Sequence, residues 1–518
     1  MAQIQTAHTG SRPRIVVVGA GFAGLACVRR LERLLSPQEA DIVMVTATSH
    51  SLYLPLLPQV ASGVLASHSV AVPLARLLRR TVRIPGGALG VDPVGRAVYV
   101  KKITGEDLEL RYDYLVLAPG SVTRTFDIPG LAQHARGMKT LKQALALRDH
   151  VLAQLELAAA APTEQERRAR LQFVVVGGGY AGTETAACLH TMTTNAAKRM
   201  PGLDPSMVRW SLVDLAEKLM PELGDDLGEK AKRMLVARGL DFRLGTSVAS
   251  VDEDRIRLTD GTWLPSKTLV WTAGVAASPL VRSVGETDHG RLIVDADLRV
   301  PQHPEIIALG DAAAVPDLAK QQIGVVGAVC PPTAQHAQRQ GKVAADNVVA
   351  AIRGTARRQY FHKDLGLVVD LGGPRAVAKP LGISLSGLPA QAATRGYHLM
   401  AMPSVRSRLR VAGNWLSHGV AGDDLLRIDM GLDRPRTLAG YEFTDMYPSA
   451  QELQTILSGF TDGGSHNGGR RPVRAGAAGG LAGAGAGAGA GSGPGSGSGS
   501  RSGSGGAGSR STGSPSLR

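Results

Sequence analysis

Cysteine is scarce in this chain. Only Cys27, Cys188 and Cys330 occur in 518 residues, far apart. Three scattered thiols exclude a disulfide scaffold and lead us to expect a reducing compartment. No Cys or His spacing suits a metal, so no metal site is expected. Long apolar runs are also missing. No stretch approaches the roughly 18 uninterrupted apolar residues of a membrane span, so no transmembrane helix is expected. The apolar run near the start, "RIVVVGAGFAGLA", is punctuated by glycine after a few residues. That pattern fits a buried strand entering a turn better than a secretory signal peptide.

What is present begins with positive charge. The formal net charge is +14. Six arginines and no acid follow Asp462, so part of that charge is local. A basic body suits an anionic partner, and charge alone does not choose among nucleic acid, an anionic membrane and phosphate-bearing cofactors. From about residue 463 the chain is Gly, Ala, Ser and Arg. Such a composition buries too little apolar surface to offset chain entropy, and a disordered tail over 461–518 is expected.

One pattern occurs twice. "RIVVVGAGFAGLA" and "QFVVVGGGYAGTETAA" each give a short β-branched run, a glycine-rich turn and helix formers. Fully apolar strands of this length suit a parallel sheet covered on both faces. Gly19, Gly21 and Gly24 form the first GxGxxG, and Gly177, Gly179 and Gly182 the second. The first glycine permits the tight turn, the second lets the backbone approach a pyrophosphate, and the third lets helix and strand pack closely. A lone fingerprint is weak, but two in the right strand–turn–helix context are not. The second copy has its ribose-binding acid, Asp214, at the end of "WSLVD"; a carboxylate there repels a 2′-phosphate and favours NADH over NADPH. The first copy ends at Thr46 with no acid, a departure from the fingerprint. Gly310 and Asp311 follow the strand "IIAL", where the acid either caps a following helix or meets the ribityl chain of a flavin.

The order "VVVGAGFAG", "LVLAPGS", "VVVGGGYAGTE", "WTAGV" and "ALGDAA" resembles the flavoproteins with two dinucleotide-binding domains. Two further segments, "LYLPLLPQVASG" and "PPTAQHAQRQGKVAADN", resemble type II NADH dehydrogenases, the single-subunit NADH:quinone oxidoreductases. The resemblance implies an α/β protein with two Rossmann-like, doubly wound domains, the NAD domain inserted in the FAD domain. A C-terminal domain facing membrane and quinone would follow, then the disordered tail. Expected boundaries are 13–160 and 296–354 for FAD, 161–295 for NADH and 355–460 for the C-terminal domain. It implies FAD and NADH as cofactors, with hydride passing from NADH to flavin N5 and a membrane quinone reduced without proton pumping. Ala118 and Gly120 of "LVLAPGS", Ala273 and Gly274 of "WTAGV", and Pro55 would line the cofactors. Gln335 would lie beside flavin and quinone, and Glu184 near nicotinamide and flavin, in the first turn of its helix. Where the family carries a second glutamine this chain has Arg339.

Two other readings share the fold. A sulfide:quinone oxidoreductase would use separated cysteines, for which Cys188 and Cys330 are the candidates. A redox-sensing flavoprotein would hold reduced flavin rather than turn over. Disulfide reductases need a close cysteine pair, which is missing. Residues 397–420 read as one basic amphipathic helix whose Trp415 would sit at a bilayer interface. The expected location is therefore peripheral, on the cytoplasmic face of the cell membrane, with an anionic membrane surface as partner, no nucleic acid, and a homodimer left open.

Overall fold

The computed structural model describes residues 12–363 and 365–427; the expected tail and most of the second half of the C-terminal domain lie outside them. Two sheets dominate, one mixed and one parallel. The first has eight strands in the spatial order Arg299–Val300, His303–Ala308, Tyr114–Leu117, Arg14–Val18, Asp41–Thr46, Val82–Asp92, Ala97–Lys102, Asp107–Arg111. Its centre is parallel, with Ile15 opposite both Ile42 and Tyr114. The second has five parallel strands in the order Ala135–Gly137, Thr268–Trp271, Gln172–Val176, Arg209–Asp214, Leu240–Leu244. Ala135–Gly137 thus belongs to the second sheet, although the sequence boundary at 161 leaves it in the first domain. A short antiparallel pair, Ser121–Thr123 with Val275–Ala277, links the two halves.

The central strands read as apolar because both faces are covered. Ile15, Val16, Val17, Phe173, Val174 and Val175 are fully buried. The helices that position the site are α1 (Phe22–Leu34), α2 (Leu57–Ala61), α3 (Leu141–Ala159), α4 (Tyr180–Ala197), α5 (Ala334–Arg353), α6 (Leu388–Ala401) and α7 (Val405–Ala421). A third, antiparallel sheet follows α5, formed by Val368–Asp370, Ala376–Ala378 and Leu385–Ser386.

The single helix expected over 397–420 is two. It breaks between Ala401 and Val405, where Pro403 cannot donate to a preceding carbonyl. Trp415 does not face outward either. It is 7% exposed, and its indole Nε1 donates to Gln59 Oε1 at 2.7 Å. What α7 turns outward instead is Val405, Leu409, Leu416 and Val420, between 67% and 84% exposed. Their spacing of four, seven and four residues places them on one face of the helix, opposite Val411 and Trp415, which are buried. No helix among the described residues is long and apolar enough to cross a membrane.

Candidate functional site

The two glycine turns have the same construction. Gly19 has φ +99°, and a Cβ there would lie 2.1 Å from the carbonyl oxygen of Ala118. A Cβ on Gly24 would lie 2.0 Å from the carbonyl oxygen of Gly19. Gly21 differs: a Cβ there meets nothing within 4 Å. In the second turn Gly177 has φ +117°, Gly182 would clash with the Gly177 carbonyl oxygen at 1.9 Å, and Gly179 again faces open space. Gly21 and Gly179 are the N-caps of α1 and α4, and neither helix has a side-chain cap or an acid in its first turn. Each helix therefore presents uncapped amides and the positive end of its dipole to an open path. These turns can hold two pyrophosphates, which fits FAD at one and NADH at the other.

Around the second turn, Asp214 accepts a hydrogen bond from the Gly178 amide and another from Ala216 N at 2.6 Å. The carboxylate thus braces the loop. In the first turn Thr46 Oγ1 bonds locally to Thr48, accepting from its amide at 3.3 Å and donating to its carbonyl at 3.2 Å.

Asp311 does not cap a helix. The segment Gly310–Ala312 is a single 3-10 turn followed by a short strand. Its carboxylate accepts from Ser121 Oγ at 2.6 Å, and Lys139 Nζ donates to the same Oγ at 2.8 Å. The Gly310 amide donates to Gln340 Oε1 at 2.8 Å, which couples the turn to α5. Gly120 and Gly274 both have positive φ, near the antiparallel link between the halves, and Ala273 packs partly buried against the core of the second sheet. Pro55 lies in the turn Leu54–Leu56 that leads into α2.

The start of α5 carries the other candidates. Thr333 caps the helix by accepting from His336 N at 3.3 Å. Gln335 is buried, and its Oε1 accepts from Leu365 N at 3.0 Å and from His362 Nε2 at 2.8 Å. Arg339 is half-buried, and its Nη1 donates to the backbone carbonyl of Gln335 at 3.0 Å. His336 Nδ1 lies 2.9 Å from the hydroxyl of Tyr360.

Glu184 is not in the first turn of α4. It stands one turn in, 9% exposed, where its Oε1 accepts from Asp370 N at 2.9 Å. Burial, with Asp370 nearby, raises its carboxyl well above the usual range. Burial raises Asp370 as well, while hydrogen bonds from Gly372, Gln391 and Gln59 and the charge of Arg395 pull it back. Burial therefore favours the protonated form of Glu184, while more donors offset that burial at Asp370. Gln59 Nε2 donates to Asp370 Oδ2 at 2.6 Å. Sequence reasoning missed Asp370, Gln59, Gln340 and His362. Only Asp370 left a signal: "LVVD" ends an apolar strand in an acid, as "WSLVD" does.

The three cysteines are free and buried. Burial pushes the Cys330 thiol up to about 12 and the Cys188 thiol well above its ordinary value. Neither is poised as a nucleophilic thiolate. Among the described residues no group of His, Cys, Asp and Glu could hold a metal ion.

A sequence profile of the pyridine nucleotide-disulphide oxidoreductase family matches residues 13–341. The type II NADH:quinone oxidoreductase Ndh of Mycobacterium tuberculosis is 30% identical over 430 residues, covering 80% of this chain and 89% of that protein. A probable NADH dehydrogenase of Dictyostelium discoideum is 28% identical over 422 residues, covering 80% and 90%. The solved structure of NDH2 from Plasmodium falciparum in complex with NADH superposes with a TM-score of 0.73 at 19% identity, over 80% of this chain and 99% of that one. The sulfide:quinone oxidoreductase of Aquifex aeolicus gives 0.59 at 19%, over 80% and 96%. At such identities the two structures establish the shared fold alone.

Two predictions follow from this geometry. Gly21→Val should give a folded but colourless protein, since the new side chain enters open space that a pyrophosphate would use. Gly19→Ala should instead destabilise the chain by roughly 3 kcal/mol or more through clash and positive φ. Circular dichroism and visible absorbance separate the two; a yellow Gly21→Val protein would place the flavin elsewhere. The second prediction concerns pH. A carboxyl raised in the folded state adds stability that is complete below its unfolded pKa and fades as pH rises through the folded one. Wild-type Tm should therefore fall from near pH 4.5 upward relative to Glu184→Gln, which carries no proton to lose. Parallel Tm-against-pH curves for the two proteins would refute the buried, protonated Glu184.

Proposed function

The chain belongs to the pyridine nucleotide-disulphide oxidoreductase family and, within it, to the type II NADH:quinone oxidoreductases, and on that premise we propose that it binds FAD and transfers two electrons from NADH to a membrane quinone without pumping protons. The observation that carries this reading is the pair of glycine turns, each open only where a pyrophosphate would pass, at Gly21 and Gly179. When bound, FAD supplies the hydride acceptance and the two-electron reduction of the second substrate.

The chain's own groups supply position and electrostatics. The turn at Gly19, Gly21 and Gly24, with Ala118 beneath it, holds the FAD pyrophosphate at the head of α1. Asp311, Gly310 and Gly120 hold the ribityl side, with Ser121 and Lys139 fixing the carboxylate. The turn at Gly177, Gly179 and Gly182 holds the NADH pyrophosphate, Asp214 takes the ribose hydroxyls and disfavours a 2′-phosphate, and Ala273 and Gly274 line the nicotinamide side. Glu184 keeps a proton on Oε2, its Oε1 being occupied by the Asp370 amide. Gln335 and Arg339, with Pro55, form the quinone wall. Arg339 puts a fixed positive charge where the family carries a neutral amide, which favours electron density arriving on a quinone oxygen. The raised, buried thiols argue against sulfide oxidation as the alternative.

We place the contact with the membrane on α7. Its outward stripe of Val405, Leu409, Leu416 and Val420 is bordered by Arg406 and Arg410, as suits a helix lying in a bilayer interface.

Stopped-flow absorbance tests the assignment of walls. Arg339→Ala and Gln335→Ala should slow quinone-driven recovery of flavin absorbance by about tenfold or more while sparing its bleaching by NADH. With NADPH the bleaching should be slower, and Asp214→Ala should narrow that gap. Slowing confined to the NADH step in both wall variants would reject the quinone wall. For the membrane contact, Leu409→Asp with Leu416→Asp should lower vesicle binding on the order of a hundredfold, with flavin content and activity toward a water-soluble quinone retained. Unchanged flotation with vesicles would remove α7 from the membrane contact.

A further inference from the structure

A cavity of about 260 Å³ lies between α1, the strand His50–Leu52, the middle of α5 and the α6–α7 junction. Its floor is apolar: Phe22, Leu25 and Tyr53 line it, with the rings of Phe22 and Tyr53 edge to face at 5.7 Å. The Tyr53 hydroxyl is taken up by His398 Nδ1 at 3.1 Å, and burial of His398 lowers its pKa to about 4, which leaves this end of the cavity uncharged. The rim is the opposite. Arg29, Arg33 and Lys342 line it and are exposed, and none of the described residues that line the cavity is acidic. Neighbouring cations have carboxylate partners: Arg30 pairs with Asp346 at 2.7 Å and Arg353 with Glu39 at 2.8 Å. Among the described residues none pairs with Arg29, Arg33 or Lys342. Arg29 Nη1 also donates to the carbonyl of Pro403 at 3.3 Å, which joins the rim to the turn just before α7.

Three cations at one rim, without a carboxylate partner among the described residues, call for an anion with several acceptor oxygens. An apolar floor directly behind them calls for an apolar group on the same molecule. A neutral quinone answers the floor and leaves the rim unmatched; a free phosphate ion answers the rim and leaves the floor unfilled. The volume falls below the usual range for a whole drug-sized ligand and suits a headgroup with its first methylenes. We propose that this cavity binds the phosphate headgroup of an anionic membrane phospholipid, its glycerol and first acyl carbons on Phe22, Leu25 and Tyr53. The site rests on the reading that α7 lies at a bilayer, and it adds a selective contact to that apolar one. It also makes lipid composition a determinant of how the enzyme sits over its quinone, because α1 and α5 carry both the rim and the cofactor wall.

The test uses the full-length holoenzyme and flotation with two kinds of vesicle, phosphatidylcholine alone and phosphatidylcholine mixed with phosphatidylglycerol. Wild type should prefer the mixed vesicles. The variant Arg29→Gln/Arg33→Gln/Lys342→Gln should lose that preference, at about fivefold per cation and roughly 100-fold for three, while still binding the neutral vesicles. Arg83→Gln/Lys230→Gln/Arg282→Gln, an equal charge change at exposed positions elsewhere, should keep the preference within about threefold. Ala401→Phe fills the cavity without changing charge and should also abolish the preference. Excess inorganic phosphate should leave it intact. Equal wild-type binding to both vesicles would overturn the headgroup site and leave the α7 contact standing. Equal losses in the two charge variants would replace the site by diffuse surface attraction. Displacement by inorganic phosphate would make the ligand a free anion. Binding to neither vesicle would overturn the membrane reading, and the site with it.

Discussion

One buried hydrogen bond ties the working parts of this molecule together. The amide of Asp370 donates to the carboxyl of Glu184, across 186 residues of chain. From that point bonds run outward: Asp370 accepts from Gln59 on α2, and Gln59 accepts from the indole of Trp415 on α7. The helix at the second glycine turn, the loop opposite it and the C-terminal helix thus meet in one polar network inside an apolar core. Two carboxyls cannot both ionise there at acceptable cost. Burial favours the proton on Glu184, while Asp370 is surrounded by donors that suit an anion.

The same segment reaches the other wall. Leu365 donates to Gln335 and Asp370 donates to Glu184, so a stretch of six residues touches the quinone candidate at one end and the nicotinamide candidate at the other. Gln335 and Glu184 sit on different helices, α5 and α4, that begin in different halves of the chain. The segment 365–370 hydrogen-bonds to both. The third sheet, through its first strand and the residues before it, is thus tied to both helices.

The glycine turns were legible because their cause is local. A positive φ at Gly19 and a close approach at Gly24 depend on residues within a few positions and on one neighbouring strand, so the requirement is written in the motif itself. The partners of Glu184 and Gln335 were not legible, because Asp370, Gln59 and His362 come from sequence positions that no period connects to them. Trp415 misled for a related reason. In a basic amphipathic stretch a tryptophan suits an interface, but α7 has two apolar faces, and hydropathy alone does not say which one packs inward. The available hydrogen-bond acceptor on Gln59 decides it, since an indole N–H is best buried where it has a partner. The break at Pro403 could have been anticipated from the backbone rule for proline. It was hidden by a hydrophobic pattern that happens to run through it.

The fold by itself does not choose among chemistries, since a sulfide:quinone oxidoreductase superposes on this chain as an NADH-binding structure does. Selection rests on side chains. Sulfide and disulfide chemistry require an ionisable thiol within reach of the flavin. Here Cys188 is buried beside Asp370, whose negative charge opposes a thiolate, and Cys330 is buried near Asp317 with the same effect. The positions proposed to line the electron path carry a buried carboxyl with a raised pKa, an amide and a guanidinium. None of these is a nucleophile. All of them orient a substrate or answer a change in charge, which is what a two-electron transfer between two bound molecules asks of its protein.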